Sequence, residues 1–319
     1  MIGACVLFAV MNLTAKTAMR SLPWHEVAAG RAAFGAATIY VFARVRSVPL
    51  VVHDKRTQWM RTIMGVGALM CGFYALSKLP LGDAATLSNL SPIFIALASR
   101  RALGERSGAG LGVAVVVGFL GAALLAGAQL HAGTGAIVAV GVGVVGAIFS
   151  CAAMLFLRRL GPREGAEAVS LHFVGTSAVV MILYGIGRSV VPSPAALGSL
   201  VLSGLTGGLA QIAMTKAYGL DRAARVGALG YTSVVFAQIL GVAFLAEIPT
   251  GRQLAGAALV LASGAALAAG TIFSRQSPAR RGRDARAMIE PRCPLEDQGA
   301  GAAQRGEMDR GDLRSGRAA

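Results

Sequence analysis

The chain has few charged residues. Asp, Glu, Lys and Arg together make up 14% of its 319 residues, whereas in soluble domains they make up about a quarter. Apolar residues account for 55% of the sequence, and its mean hydropathy is +0.63. Because one soluble core cannot hide this much apolar surface, the composition excludes an ordinary soluble domain and predicts an integral membrane protein.

Residues that bind metals or form disulfides are also sparse. The four cysteines, Cys5, Cys71, Cys151 and Cys293, stand singly, and there are only four histidines. No CxxC, HExxH, DDxxD or Walker motif occurs in the sequence. The sequence therefore indicates no disulfide framework, no metal site and no cofactor, and it predicts that ATP does not drive the protein directly.

Long apolar runs dominate the rest of the sequence. A membrane helix needs about 20 mainly apolar residues, and residues 1–273 divide into ten such stretches joined by short polar connections. Runs such as GLGVAVVVGFLGAALLAG are apolar on every face, which favours helices over the alternating strands of a membrane β-barrel. The predicted fold is all-α and integral to the membrane, with ten transmembrane helices. Their predicted bounds are 1–18, 26–44, 58–77, 83–102, 109–128, 134–157, 166–188, 196–219, 225–246 and 251–273.

The distribution of Lys and Arg predicts the orientation of these helices, since cytoplasmic loops carry the excess. With the N-terminus in the cytoplasm, fourteen basic residues fall on the inner side and four on the outer side. We therefore predict a multi-pass protein of the inner (plasma) membrane with both termini cytoplasmic. The inner set is Arg44, Arg46, Lys55, Arg56, Arg61, Arg100, Arg101, Arg106, Arg158, Arg159, Arg163, Lys216, Arg222 and Arg225, and the outer set is Arg20, Lys78, Arg188 and Arg252.

The net charge of +15 comes from these loops and from the C-terminal segment. No basic patch is interleaved with aromatic residues, so we expect the lipid bilayer and not nucleic acid as a partner. Residues 274–319 hold ten Arg and seven acidic residues with little to pack, and we expect a disordered cytoplasmic tail. Contact of this tail with anionic lipid and a simple stop-transfer role both stay open. At the other end Met1 is already apolar, and we expect a short cytoplasmic leader before it.

The chain also resembles itself. Residues 121–127 read GAALLAG and residues 264–270 read GAALAAG, and a shift of 142 positions places Ser91 over Ser233 and Glu105 over Glu247. We predict two five-helix repeats, 1–129 and 133–273. Because five is odd, the second repeat must enter the membrane from the opposite side, so the repeats are inverted.

Two segments carry a resemblance to a known family: YALSKLPLGDAATLSNLSPIFIALASRRALGER at 74–106 and KAYGLDRAARVGALGYTSVVFAQILGVAFLAE at 216–247. They resemble the two halves of the drug/metabolite transporter superfamily, and more narrowly its EamA-type family. The resemblance implies ten helices and the transport of a small metabolite or amino-acid-like solute, usually outward, by alternating access. The second segment has Val234 where the first segment has Pro92.

The leading hypothesis is therefore a secondary membrane transporter with no enzyme activity. A membrane-embedded lipid-modifying enzyme is the first alternative, but it needs carboxylates or histidines clustered at a membrane face. A non-transporting membrane scaffold is the second, and only the Arg-rich tail supports it.

Polar side chains within the spans are the candidates for a solute site, because they are costly in hydrocarbon and tend to face a cavity. We expect the site between the repeats near mid-membrane, with Asn89, Tyr231 and Gln238 at its centre. Pro92 should kink helix 4 and free a carbonyl near Ser88 and Asn89 for a ligand. Hydrogen bonds that simply join helices remain the alternative for these residues. The full substrate-binding set is Asn12, Tyr74, Ser88, Asn89, Gln211, Tyr231 and Gln238.

Three titratable or charged residues within the spans complete the candidates. Lys16, Arg31 and His172 are charge partners for a solute if they point inward, and an inward Lys16 or Arg31 favours an anionic or zwitterionic one. Lys16 and Arg31 lie near span ends, so snorkelling to the headgroups is their alternative. A lone histidine such as His172 is often a packed, hydrogen-bonding side chain. GxxxG spacings at Gly108–Gly112 and Gly204–Gly208 leave a homodimer open.

Overall fold

The computed structural model describes residues 1–102, 111–128, 133–187, 190–221, 226–227 and 229–273. The predicted bounds that fall outside these ranges, and the tail 274–319, lie outside the described residues. Within the described residues all regular structure is helical, which confirms the all-α prediction there. The helices are α1 Ile2–Ala18, α2 Trp24–Val45, α3 Lys55–Lys78, α4 Leu81–Ser88, α5 Ser91–Ala102, α6 Leu111–Ala128, α7 Thr134–Leu160, α8 Ala166–Gly185, α9 Pro194–Leu220, α10 Thr232–Leu245 and α11 Gly251–Phe273.

Several helices have the length and apolar character that a membrane span requires. Four of them, α3, α7, α8 and α9, are long and apolar enough to cross a membrane. The apolar stretches Ile2–Ala18, Val116–Leu125 and Thr232–Leu245 are shorter. The described residues thus contain helices of membrane-spanning length and apolar character, and the count of ten spans stays a prediction.

The surface of the helix bundle is apolar, and part of its interior is polar. Arg61, Gln58 and Gln211 are almost completely buried. Large apolar side chains on α6 to α10 face outward instead, which is the arrangement expected of a bundle surrounded by lipid. The exposed set includes Val116, Leu120, Val138, Val145, Ile182, Leu183, Val201, Leu205, Ile239 and Phe244.

The fourth predicted span, 83–102, is broken and not merely kinked. The backbone N–H of Leu90 bonds to the Leu87 carbonyl, a tight three-residue turn that ends α4. Pro92 is the second residue of α5, where its missing N–H would have no helical partner in any case. Proline therefore starts a new helix here, and 8-residue α4 and 12-residue α5 share one predicted span.

A second interruption occurs in the other half of the chain, where no proline predicted one. Helix α10 begins at Thr232, directly after a turn at Gly230 and Tyr231. The N–H of Gly230 bonds to the carbonyl of Gly227, so a pair of glycines closes this turn. The sequence predicted a proline kink for helix 4, and the second repeat, which has Val234 in place of Pro92, is interrupted through glycine instead.

Contacts between the two halves of the chain come in matching pairs. Helix α1 packs on α9 and α3 packs on α7, and the 142-residue shift turns one of these pairs into the other. Helices α6 and α11, which are repeat mates, pack on each other. The 142-residue duplication seen in the sequence is thus repeated in the packing of the helices.

Glycines set the closest helix approaches. A Cβ on Gly121 would lie 2.7 Å from the carbonyl oxygen of Gly256, and one on Gly208 would lie 2.9 Å from that of Gly35. The backbones of α2 and α9 therefore touch at Gly35 and Gly208. The spacing at Gly204–Gly208 is accordingly used for packing within one chain, while Gly108 lies outside the described residues.

Candidate functional site

A cavity of about 280 Å³ lies between the two halves of the chain. Residues of α1 to α5 line it on one side, and residues of α7, α8 and α9 and the turn before α10 line it on the other. Along α1 the lining runs from Met1 to Asn12, which is roughly 16 Å at 1.5 Å per residue. Pockets for small ligands range from about 300 to 1,000 Å³, so this cavity, at the lower end of the range, suits a small solute and not a large one.

Four of the seven predicted substrate-binding residues line this cavity: Asn12, Ser88, Asn89 and Gln211. The Asn89 amide donates to the Ala85 carbonyl at 2.8 Å and to the Ser233 hydroxyl at 2.9 Å, so it joins the break after α4 to the start of α10. Pro92 also lines the cavity. The two helix interruptions therefore meet at the cavity wall.

The side chains at the cavity wall differ in how well they are satisfied. The Ser88 hydroxyl bonds back to the Ala84 carbonyl at 3.0 Å within α4. The Gln211 side-chain nitrogen is buried, and no described residue accepts a hydrogen bond from it. An unpaired buried amide costs about 1–3 kcal/mol, so Gln211 is suited to bind a polar solute or water.

The other three predicted substrate residues lie outside the cavity lining. The ring of Tyr74 packs edge-on against Trp24, with 6.0 Å between the ring centres. Tyr231 is buried against Gly264 of α11. The Gln238 amide lies against the backbone of Gly82, where a Cβ would have no room. The structure brings Asn89 to the cavity, but it does not bring Tyr231 or Gln238 there.

Two arginines contribute positive charge to the cavity. Arg31 of α2 is 5% exposed and Arg61 of α3 is 1% exposed, and both line the cavity. The Arg61 guanidinium lies 3.7 Å from the ring centre of Phe173, and the Arg31 guanidinium lies 5.8 Å from that of Phe73. Among the described residues that line the cavity there is no carboxylate.

Sequence reasoning missed Arg61. The positive-inside rule counts basic residues near span ends, and so it placed Arg61 in the cytoplasmic set. Arg61 is, however, the seventh residue of α3, and it is buried. The available signal was its position two turns inside an apolar helix, the same feature that made Arg31 a candidate.

His172 and Lys16 lie away from the cavity. The His172 ring is 4.8 Å from the Trp59 ring, and its Nδ1 lies 3.1 Å from the Thr62 hydroxyl. Lys16 forms an ion pair with Glu247 at 3.0 Å and also donates to the Leu79 carbonyl. Of the three predicted charge partners, only Arg31 thus faces the cavity.

The ion pair of Lys16 and Glu247 belongs to a polar network at the far end of α1. Glu247 also accepts from the backbone N–H of Leu81 at 2.6 Å, and the Gln253 amide donates to Asp83 at 2.7 Å. Each of these contacts joins the first half of the chain to the second. We call Lys16, Asp83, Glu247 and Gln253 the outer clasp, after the side of the membrane predicted for it.

Comparisons with known proteins agree with this architecture. The sequence profile of the EamA-like transporter family matches residues 1–127 and 133–269, once for each half. A pseudopaline exporter of Pseudomonas aeruginosa, CntI, is 30% identical over 265 residues, which cover 83% of this chain and 93% of the exporter. A riboflavin transporter of Rhizobium johnstonii is 25% identical over 273 residues, which cover 82% of this chain and 87% of the transporter.

A solved crystal structure shares the fold. It superimposes with a TM-score of 0.67 at 22% sequence identity, and the match covers 86% of this chain and 98% of the solved one. At this identity the match establishes the arrangement of the helices and not what they carry.

Proposed function

The chain belongs to the EamA-like transporter family, and we propose that it is a secondary carrier that exports a small metabolite or amino-acid-like solute across the inner membrane by alternating access. That it is a membrane transporter of small solutes and not an enzyme follows from the family and from relatives named as transporters. The export direction, the mechanism and the orientation are our proposals.

The observation that carries the proposal is the cavity between the two repeats. It is lined by polar groups from both repeats, among them Asn12, Asn89 and Gln211. A transporter that rocks one repeat against the other exposes a site at their interface first to one side and then to the other. A site built from both repeats is suited to that motion because each half supplies part of it.

The two ends of the interface support alternating access. The cavity lining reaches Met1 at one end, whereas at the other end the outer clasp ties the repeats together. With inverted repeats and both termini cytoplasmic, this is a conformation with the cavity on the cytoplasmic side. Opening the outer clasp and closing the repeats around Met1 would produce the opposite conformation.

Export is supported by the relative named as a pseudopaline exporter. The relatives named as riboflavin transporters show that the family alone does not determine the solute. The solute class must therefore come from the residues of this cavity.

Transport is tested by reconstituting the full chain into liposomes and measuring the uptake of labelled amino acids, dicarboxylates, amines and nucleoside derivatives. We expect saturable flux of at least one class, with a KM that rises about tenfold when Asn89→Leu alters the cavity wall and stays unchanged in Gly198→Leu, where the added side chain meets open space. Flux that never saturates, or that Asn89→Leu leaves unchanged for every solute, would contradict the proposal.

A further inference from the structure

We infer that the solute is a small anion with two acid groups, one bound by Arg31 and the other by Arg61; this inference rests on the proposed transport function. It goes beyond the family because the relatives are named for different solutes. It depends on how these two arginines are buried and on what surrounds them.

Arg61 is a buried cation whose donors are not satisfied. It is 1% exposed, and its Nε and Nη1 have no hydrogen-bond partner among the described residues. The Phe173 ring attracts its charge from 3.7 Å, but a ring face does not use the N–H donors along the edge of the guanidinium. Those donors are available to an acid group in the cavity.

Arg31 is in a similar state on the neighbouring helix. It is 5% exposed, and its Nε lies 3.2 Å from the Met11 sulfur, which is a weak acceptor. No described carboxylate forms an ion pair with Arg31 or with Arg61. Taking an arginine out of water without an anion is costly, so we expect an anion from outside the described residues to pair with each arginine.

Three other cations within the helices do have an anionic or carbonyl partner. Lys16 pairs with Glu247 at 3.0 Å, and Lys216 pairs with Glu167 at 2.6 Å. Arg158 donates to the carbonyls of Tyr218 and Gly219, both at 3.0 Å. Arg31 and Arg61, the two arginines that are buried among the described residues, thus lack the anionic or carbonyl acceptor that Lys16, Lys216 and Arg158 have, and both line the cavity.

The positions along α3 beside which the two arginines lie favour two acid groups over one. A Cβ on Gly65 would lie 3.3 Å from Nη1 of Arg61, whereas the Arg31 guanidinium lies beside Phe73. Gly65 and Phe73 are both on α3, eight positions apart, which is about 12 Å at 1.5 Å per residue. The two guanidinium groups thus lie beside positions of α3 about 12 Å apart along its axis, and this separation favours an extended molecule with an acid at each end over a single carboxylate.

A bidentate guanidinium recognises the planar edge of a carboxylate with high geometric specificity. The amides of Asn89 and Gln211 line the same cavity and can bind polar groups of the solute. The cavity volume of about 280 Å³ limits the solute to the size of a small metabolite.

The first test uses ligands and the unchanged full-length protein in detergent. We would measure binding of glutarate, pimelate and azelate by isothermal titration, and of the matching diamides, which have the same length and no charge. We expect at least one diacid to bind at least tenfold more tightly than its diamide and than the corresponding monoacid. Equal binding of diacid and diamide, or no binding of any diacid, would overturn the inference.

The second test assigns the two acid groups to the two arginines. Arg31→Gln and Arg61→Gln should each weaken diacid binding about tenfold or more, while the exposed Arg44→Gln on α2 and Arg56→Gln on α3 serve as matched controls and should not. Arg31→Lys and Arg61→Lys keep the charge, so they maintain folding if the glutamine variants do not fold. Diacid affinity that is unchanged in folded Gln or Lys variants would contradict the assignment.

The outcome also separates this inference from the transport function. Saturable flux of an uncharged solute that does not depend on either arginine would support the transport function and refute the inference that the solute is an anion. Tight diacid binding without any flux in liposomes would support the anion inference and refute the transport function. Fructose 1,6-bisphosphate in a parallel titration shows whether the acid groups are carboxylates, as we infer, or phosphates, which guanidinium groups also bind.

Discussion

The outer clasp and the cavity are two polar regions of the same interface between the repeats, and they differ in how their charges are satisfied. In the clasp, Lys16 has Glu247 and Gln253 has Asp83, and each partner comes from the other repeat. In the cavity, Arg31 and Arg61 face no carboxylate among the described residues. The partners of a charged residue within a span, and not its depth, thus distinguish the outer clasp from the cavity.

The difference has a simple physical basis. A pair that joins the two repeats stabilises the conformation in which both partners touch, so it can act as a latch between two states. A buried cation without a partner stabilises nothing by itself, but it gains an interaction when an anion enters. Under the proposed alternating access, the clasp would therefore hold one end of the interface closed, while the two cavity arginines would bind an anion.

The substitution with the largest expected effect disrupts the packing of α9 on α2, which supports both regions. Gly208→Leu places a side chain where a Cβ already lies 2.9 Å from the Gly35 carbonyl of α2, the helix that carries Arg31. Overpacking of this kind costs about 1–3 kcal/mol or more, and we expect little folded protein by size-exclusion chromatography. Gly198→Leu on the same helix meets nothing within 4 Å and should fold normally. Equal yields of the two variants would show that α2 and α9 do not pack at these glycines.

Glu247→Gln breaks the clasp and leaves the cavity unchanged. The variant keeps an acceptor for Leu81 but loses the charge that holds Lys16, so the closed outer end should be destabilised by about 1–2 kcal/mol, a shift of roughly tenfold in the ratio of the two states. Spin labels at Arg20 and Arg252, both exposed, report the opening as a longer distance between them.

Thr17→Val is a control beside the clasp. Its hydroxyl bonds to the Leu13 carbonyl within α1, so the distance between the labels should stay as in the unchanged protein. If Glu247→Gln gives the same distance distribution as Thr17→Val, the ion pair with Lys16 does not hold the outer end closed.

A smaller effect separates the cavity wall from its surroundings. Asn89→Leu removes an amide that contacts Ser233 and lines the cavity, and we expect solute affinity to fall about tenfold. Gln238→Leu changes another amide, whose buried nitrogen packs against Gly82 outside the cavity lining, and we expect affinity within about twofold of normal. The opposite order of the two effects would place the site at Gln238, which the sequence predicted at its centre together with Asn89 and Tyr231.

The sequence predicted the helical class, the duplication and the family because these depend on patterns that repeat along the chain. It also identified Asn89, since a polar residue beside Pro92 indicates an interrupted helix. The second interruption was missed because the glycines at 227 and 230 occur among many others and do not stand out in a sequence with 42 glycines.

The pairing of charges was beyond the reach of sequence reasoning. Lys16 and Arg31 look alike in sequence, as basic residues near the outer ends of two spans, and snorkelling was an alternative for both. Glu247, which distinguishes them, is 231 residues from Lys16 in the chain and comes within 3.0 Å of it only in the folded protein. Arg61, near the start of the predicted span 58–77, was counted with the cytoplasmic basic residues for the same reason, because burial of an arginine depends on neighbours such as Phe173 of another helix.

The most direct test of the account compares access to the two regions from the two sides of the membrane. Ser150 lines the cavity and Ser77 lies beside Lys16 and Glu247 in a shallow pocket at the clasp. We would introduce Ser150→Cys and Ser77→Cys separately into a chain without other cysteines and measure the labelling rate with a membrane-impermeant thiol reagent.

In the conformation described here we predict that the cysteine at 150 reacts from the cytoplasmic side and the one at 77 from the outer side. Adding Glu247→Gln should make the cysteine at 150 reactive from the outer side as well. Reaction at 150 from the outer side alone, or no effect of Glu247→Gln on either rate, would contradict a cavity that opens to the cytoplasm and is closed by the outer clasp.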